Sequence, residues 1–220
     1  MKGIITVLAL LLTLSTIGQN HIIGTKSGIN STNVSSSNFI TNNDSRTGFS
    51  SGLTYEFQFK NKFSFGIDFL YFQKGFTNDL IFTDTIGNPT GEKATIQFNY
   101  NYLSFPIKGG FVFGEKTSGF VNVGLVPSFL ISGEIIEPET EGLFDKKTTD
   151  ISELASSFDL GGLIEVGGNY TFGESLILFT SFAYQHSFTS LTNSNHFAES
   201  SIRHNALTLS LGLKYRLKNN

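Results

Sequence analysis

The sequence has no cysteine and no tryptophan, and it carries little charge. Without cysteine there can be no disulfide scaffold, nor a lipid-attachment site at the N-terminus. A net charge of −3 gives no basic field for nucleic acid. No stretch beyond the first 18 residues is apolar for long enough to cross a bilayer as a helix. No segment keeps a helical period, and no Pro/Ser-rich linker divides the chain, which reads as one domain.

What is present begins with a short basic start (Lys2), an apolar run (Ile4 to Leu14) and small residues up to Gly18. This is the pattern of a secretory signal peptide, expected over 1–18 with a cut after Gly18, leaving 19–220 as the mature domain. That domain is rich in glycine and in phenylalanine; the whole chain has 23 of each. It also alternates. In "ALTLSLGLKYRL", Leu207, Leu209, Leu211, Leu213, Tyr215 and Leu217 share one face, while Thr208, Ser210, Gly212, Lys214 and Arg216 share the other.

The same rhythm predicts eight strands, at about 22–31, 47–59, 63–75, 96–113, 119–132, 158–171, 176–188 and 204–217. Three connections are short: "KNK", "GEKTS" and "FGES". Four are long: "VSSSNFITNNDSR", "FTNDLIFTDTIGNPTGEKAT", "GEIIEPETEGLFDKKTTDISELASS" and "TSLTNSNHFAESSI". Short and long alternate strictly, as in an outer-membrane barrel with short periplasmic turns and long outer loops. A Greek-key sandwich has no reason to sort its loops in this way.

Charge placement separates a membrane barrel from a soluble sandwich. The apolar phase, for example Phe63, Phe65, Ile67, Phe69 and Tyr71, holds no charge in any clear strand. A charge there at mid-bilayer would cost roughly 2–4 kcal/mol. The opposite phase holds Lys26, Glu56, Asp68, Lys108, Asp159, Glu165, Lys214 and Arg216, expected to form a lumen charge network. Leu207, Leu209, Leu211, Leu213 and Tyr215 are then lipid-facing. The fold class that follows is all-β, an eight-stranded antiparallel up-and-down transmembrane β-barrel. An interior of that size is filled by side chains, so an open pore is not expected. Inward glycines are expected to leave small pockets beside the large groups. In the fourth strand the apolar phase switches from Tyr100 and Tyr102 to Leu103 and Phe105, which predicts either a β-bulge near Tyr102 or a hairpin standing above the membrane. Pro106 and Pro127 fall within strands.

Five stretches carry a family resemblance: "GTKSGINSTN", "FGIDFLYFQKG", "YNYLSFPIKGGFVFG", "GFVNVGLVPSFLISG" and "LSLGLKYRL". In this order they resemble the PorT-like outer-membrane β-barrel family of Bacteroidota. The most specific pieces are "LYFQKG" and "NYLSFPIK". The resemblance implies an eight-stranded barrel in the cell outer membrane, with little implied about chemistry. The family's founding member is linked to protein secretion.

No catalytic set emerges. His186 and Ser187 are adjacent, so a regular strand points them to opposite faces, and a lipid-modifying hydrolase would need them on one. His21, His186, His196 and His204 are scattered, and His196–Glu199–His204 lacks a standard ligand spacing. The acidic stretch "EIIEPETEGLFD" lacks the order of a calcium loop. "GGFVFG" lies within a strand, which argues against a nucleotide loop. No cofactor, metal or nucleic acid is expected. The expected partners are outer-membrane lipid and a protein or glycan at the outer loops. The alternatives are a lipid-modifying hydrolase, a narrow channel, or a soluble periplasmic β-protein.

Overall fold

A computed structural model describes residues 19–36, 43–59, 62–139, 145–193 and 201–217. The first 18 residues, which carry the expected signal peptide, lie outside the described residues, as do His196 and Glu199. The described residues form ten strands: β1 (Gln19–Ser36), β2 (Asn43–Phe59), β3 (Phe63–Thr83), β4 (Pro89–Ser104), β5 (Ile107–Gly114), β6 (Thr117–Glu137), β7 (Lys147–Asp150), β8 (Phe158–Phe172), β9 (Leu176–Ser187) and β10 (Ile202–Leu217). A 3₁₀ turn covers Ser152–Leu154.

Every pairing is antiparallel, and β1 pairs with both β2 and β10, so the sheet closes on itself. β4 and β5 are two parts of one ring position. Both pair with β3 and with β6, which leaves a ring of eight. Closure removes the sheet edges that an open membrane sheet would leave unsatisfied.

The pleat sorts side chains as the alternation predicted. Leu207, Leu209, Leu211, Leu213 and Tyr215 point outward, 44%, 59%, 62%, 48% and 50% exposed. Phe63, Phe65 and Phe69 do the same, while Ser64, Asp68 and Leu70 in the opposite phase are buried inside.

At the fourth ring position the structure holds both features that the phase switch predicted, a register shift at Tyr102 and a raised β3–β4 hairpin, without any break in the pleat of β4 itself. Tyr100, Tyr102, Ser104 and Lys108 all face inward, so the pleat continues unbroken past Tyr102. What changes is the interior, which is apolar at the long-loop end and polar further down. The register shift lies on the partner: Asn101 pairs with Ser132 and Tyr102 with Leu130, leaving Ile131 as the extra residue of β6.

The prolines mark the break between β4 and β5. Pro106 accepts from the Asp68 amide at 3.0 Å and Pro127 from the Phe105 amide at 2.9 Å. Neither can return the bond, so two ladder donors are missing side by side.

The wall is uneven. β3 and β6 run for 21 residues each, about twice what a tilted membrane strand needs. The excess forms a hairpin, β3–β4, turning at Asp84–Asn88, flanked by β6 and β7. Much of the second and third long connections is therefore sheet, and β7 is a strand the alternation did not predict. Glycine makes room for two interior rings. A Cβ at Gly167 would strike Phe120, and one at Gly212 would strike Phe179. At these two positions the expected pockets hold aromatic rings instead.

Candidate functional site: a filled lumen with a polar mouth

The interior is built in layers, each supplied by inward positions of several strands. The central layer holds two lysines and two carboxylates. Lys26 on β1 bonds Glu165 on β8 and lies 3.6 Å from Asp68 on β3. Lys108 on β5 reaches Asp68 at 2.8 Å and Glu165 at 3.0 Å. Positive and negative groups alternate around this square and cancel. Thr54 donates to Asp68 at 2.7 Å and Asn122 to Glu165 at 3.0 Å. All four charged groups are nearly or wholly buried, and burial of charge is tolerable only with such partners.

Toward the short turns, Lys214 bonds Glu56 at 2.8 Å. Its ammonium sits 4.4 Å from the centre of the Phe179 ring and 5.4 Å from that of Phe120, within cation–π range.

Toward the long loops, Asp159 bonds Lys74 at 2.6 Å. The hydroxyls of Ser187 and Thr189 each donate to the same carboxylate at 2.7 Å. Above this lies an apolar plug: Val34, Phe76, Tyr100, Tyr102 and Ile202 from the wall, with Ile151, Ala155 and Leu191 folded in from connections.

Of the eight charged residues read as a network, the structure brings together Lys26, Asp68, Lys108 and Glu165. Glu56 with Lys214 forms a separate pair, and Asp159 belongs to another. Arg216 departs from the expectation. It stands at the short-turn mouth, where Nη1 donates to the Glu174 main-chain carbonyl at 3.4 Å and Nε, buried, has no hydrogen-bond partner. Lys74 was missed. It is fully buried, and its signal was its inward phase with Phe72 and Leu70.

The histidines separate as well. His21 bonds Tyr55 at 2.8 Å, and His186 lies beside Phe188. His204, which the sequence placed in or beside the last loop, is 2% exposed and packs edge-on against Tyr100 and Tyr102. Neither of its ring nitrogens has a hydrogen-bond partner. The Ser187 hydroxyl donates its hydrogen bond to Asp159, so no histidine among the described residues stands as its base. Among the described residues no group of three His, Asp or Glu is placed to hold a metal ion.

Comparison with known proteins agrees with this architecture. A major outer membrane protein from Thermus thermophilus superposes with a TM-score of 0.55 at 13% identity, over 91% of this chain and 100% of that one. Neisserial surface protein A gives 0.47 at 11% identity over 91% and 99%. The outer membrane protein OprG from Pseudomonas aeruginosa gives 0.44 at 12% over 92% and 97%. At 13% identity the Thermus thermophilus protein shows a likeness of fold alone. No curated protein matches the sequence. The family model described as "Outer membrane protein beta-barrel domain" matches residues 18–193, and the chain belongs to that outer-membrane β-barrel family.

Proposed function

We propose that this protein is a closed, non-catalytic barrel of the outer membrane that works by recognition at its ends. In this reading residues 1–18 are a signal peptide removed after Sec export, and the long connections face outside. The raised wall of β3, β4, β6 and β7 is the surface offered to a protein or glycan. The resemblance to the PorT-like family of Bacteroidota adds a secretion-associated role as the biological setting.

The observation that carries the reading is the lumen filling. Three charged layers and an apolar plug follow one another along the axis, and the charges within the layers are paired. A cavity between two of the layers, lined by Glu56, Ser64, Lys108 and Asn122, holds about 10 Å³, room for a single water at most. Solutes therefore have no evident path.

Planar bilayers test this. Purified protein should insert without stable conductance. Reproducible single-channel steps at low voltage would replace the recognition reading with a narrow channel.

A further inference from the structure

The raised wall ends in an open sheet edge. β7 pairs with β6 on one side, and among the described residues no strand pairs with its other side. All four of its residues are exposed. The ladder shows which groups the open side offers. The Ile151 amide donates to the Gly133 carbonyl at 2.9 Å, and hydrogen-bonded pairs alternate with non-bonded ones along an antiparallel ladder. Continued through the register, Thr149–Ile135 and Lys147–Glu137 are the bonded pairs, whereas Asp150–Glu134 and Thr148–Ile136 are not. The main-chain groups of Thr148 and Asp150 therefore point away from β6, ready for a further strand.

The side chains specify which strand fits. Glu134 and Asp150 stand opposite each other in a non-bonded pair, the spacing at which side chains come closest. Like charges so placed repel, and among the described residues neither carboxylate is ion-paired to a cation. A strand that sets a cation beside Asp150 relieves the repulsion, and the edge itself is such a strand. Lys146, Thr148 and Asp150 occupy alternate positions in "DKKTTD", so in an extended strand their side chains share a face. With two copies of this edge antiparallel and Thr148 opposite the partner's Thr148, Lys146 of each copy falls opposite the partner's Asp150. Both strands must present outward groups, so the register changes only in steps of two. One step either way, Asp150 meets the partner's Thr148, or Lys147 meets the partner's Lys147. Of these three registers the first alone pairs opposite charges.

We propose that the open edge of β7 pairs with the same edge of a second copy of this chain, so that two raised walls join into one sheet. Main-chain bonds at Lys146, Thr148 and Asp150 hold it, together with the reciprocal Lys146–Asp150 contacts. The contact is isologous, and the two-fold axis of an antiparallel pair runs perpendicular to the sheet. β7 belongs to the wall that stands on the membrane, so this axis lies in the membrane plane and inverts the second copy. The partner therefore sits in a facing membrane, and the contact joins one cell to the next. Each contact is small, and its strength comes from many copies engaged at once. The cell-to-cell setting rests on the proposed reading of the raised wall as the outer recognition surface; the pairing of the edges does not.

Vesicle clustering decides the matter. Full-length protein is reconstituted by detergent removal into vesicles in both orientations, which presents the long connections outside whichever way they face in cells. Wild-type vesicles should cluster and scatter several-fold more light than protein-free ones. K146D and D150K shift the net charge in opposite directions, yet each sets like charges opposite each other and should weaken clustering about tenfold or more. K146D/D150K exchanges the two charges and should restore it. T148P removes an outward amide that β6 does not use, and should abolish clustering at unchanged charge. Heat-modifiable gel mobility verifies that each variant is folded. Wild-type clustering no greater than that of protein-free vesicles, a folded D150K or T148P with wild-type clustering, or K146D/D150K no better than the single variants overturns the proposal. Wild-type vesicles that cluster while intact cells displaying the protein do not clump would overturn the outward orientation and leave the edge pairing standing.

Discussion

Lys74 on β3 reaches across the lumen to Asp159 on β8, 2.6 Å away, and so ties two strands that are not neighbours in the sheet. The ammonium also faces the Tyr102 ring, 5.0 Å from its centre. The pair sits directly below the apolar plug, where a lone charge would find little water.

Breaking that pair from one side should therefore be costly. K74M leaves Asp159 buried with only the Ser187 and Thr189 hydroxyls, and should destabilise the barrel by about 3 kcal/mol in urea unfolding from liposomes. The double variant K74M/D159L removes both charges and should recover most of the loss. Additive losses in the two single variants would mean that the pair is not coupled.

The outer face predicts the opposite sensitivity. Leu211 is 62% exposed on the isolated barrel, on the face proposed to meet lipid. L211R should cost about 2–4 kcal/mol of folding into bilayers, while L211F stays close to wild type. Equal folding of L211R and wild type would exclude lipid at this position.

Both faces were readable because the strand period is two and the bilayer forbids charge on one of them. The central square of Lys26, Asp68, Lys108 and Glu165 followed from phase alone. Phase also held Lys74 and His204, which a list of charges set beside clear strands passed over. Lys74 lies beyond the clean apolar run of β3, and His204 comes just after the last long connection although it shares a face with Ala206 and Thr208. The plug is a different case. Ile151, Ala155 and Leu191 come from connections, where no period marks which side chain turns inward. The height of β3 and β4 showed only through the phase switch at Tyr102, for which a raised hairpin was one of two readings.

Orientation is tested from outside. With the long connections exposed at the cell surface, protease added to intact cells should cut within 145–156, where Lys147–Asp150 is exposed sheet edge. Cleavage confined to the short turn at Glu115–Lys116 would reverse the topology.

The tip of the β3–β4 hairpin should respond to acid. The Asp84 carboxylate accepts from the amides of Asn88 and Ile86, both at 2.9 Å, and these bonds hold its pKa below the ordinary value. A lowered folded pKa means that the turn gains stability above the unfolded value of about 3.9 and loses it as pH falls through the lower folded one. The Ile86 and Asn88 amide resonances should titrate with a midpoint below about 3.9, and D84N should abolish the transition. A midpoint at or above the ordinary aspartate value would show that the turn does not favour the carboxylate.

Gly212 and Phe179 give the last test, which concerns how the lumen is filled. Phe179 on β9 is 3% exposed and lies over Gly212 on the neighbouring strand, where a Cβ would meet the ring. The ring is also one wall of the Lys214 site. The same Cβ would strike the Thr25 carbonyl oxygen of β1, so G212A must push both the ring and the neighbouring strand, and a filled interior gives the ring nowhere to go. Overpacking of this kind costs roughly 1–3 kcal/mol, and part of the cation–π contact goes with it. Trimming the ring should relieve the part of the clash that the ring makes and leave the part made by the carbonyl. F179L alone loses ring contacts and is destabilised, but in combination with G212A the two losses should sum to less than their separate values, because the added methyl occupies space the ring has left. Liposome unfolding of the four proteins in the cycle measures the coupling. Strict additivity would assign the cost to the Thr25 carbonyl and not to the ring, whereas a G212A variant as stable as wild type would mean that the lumen at this level has free volume, and the case for a closed barrel would weaken at the layer nearest its open mouth.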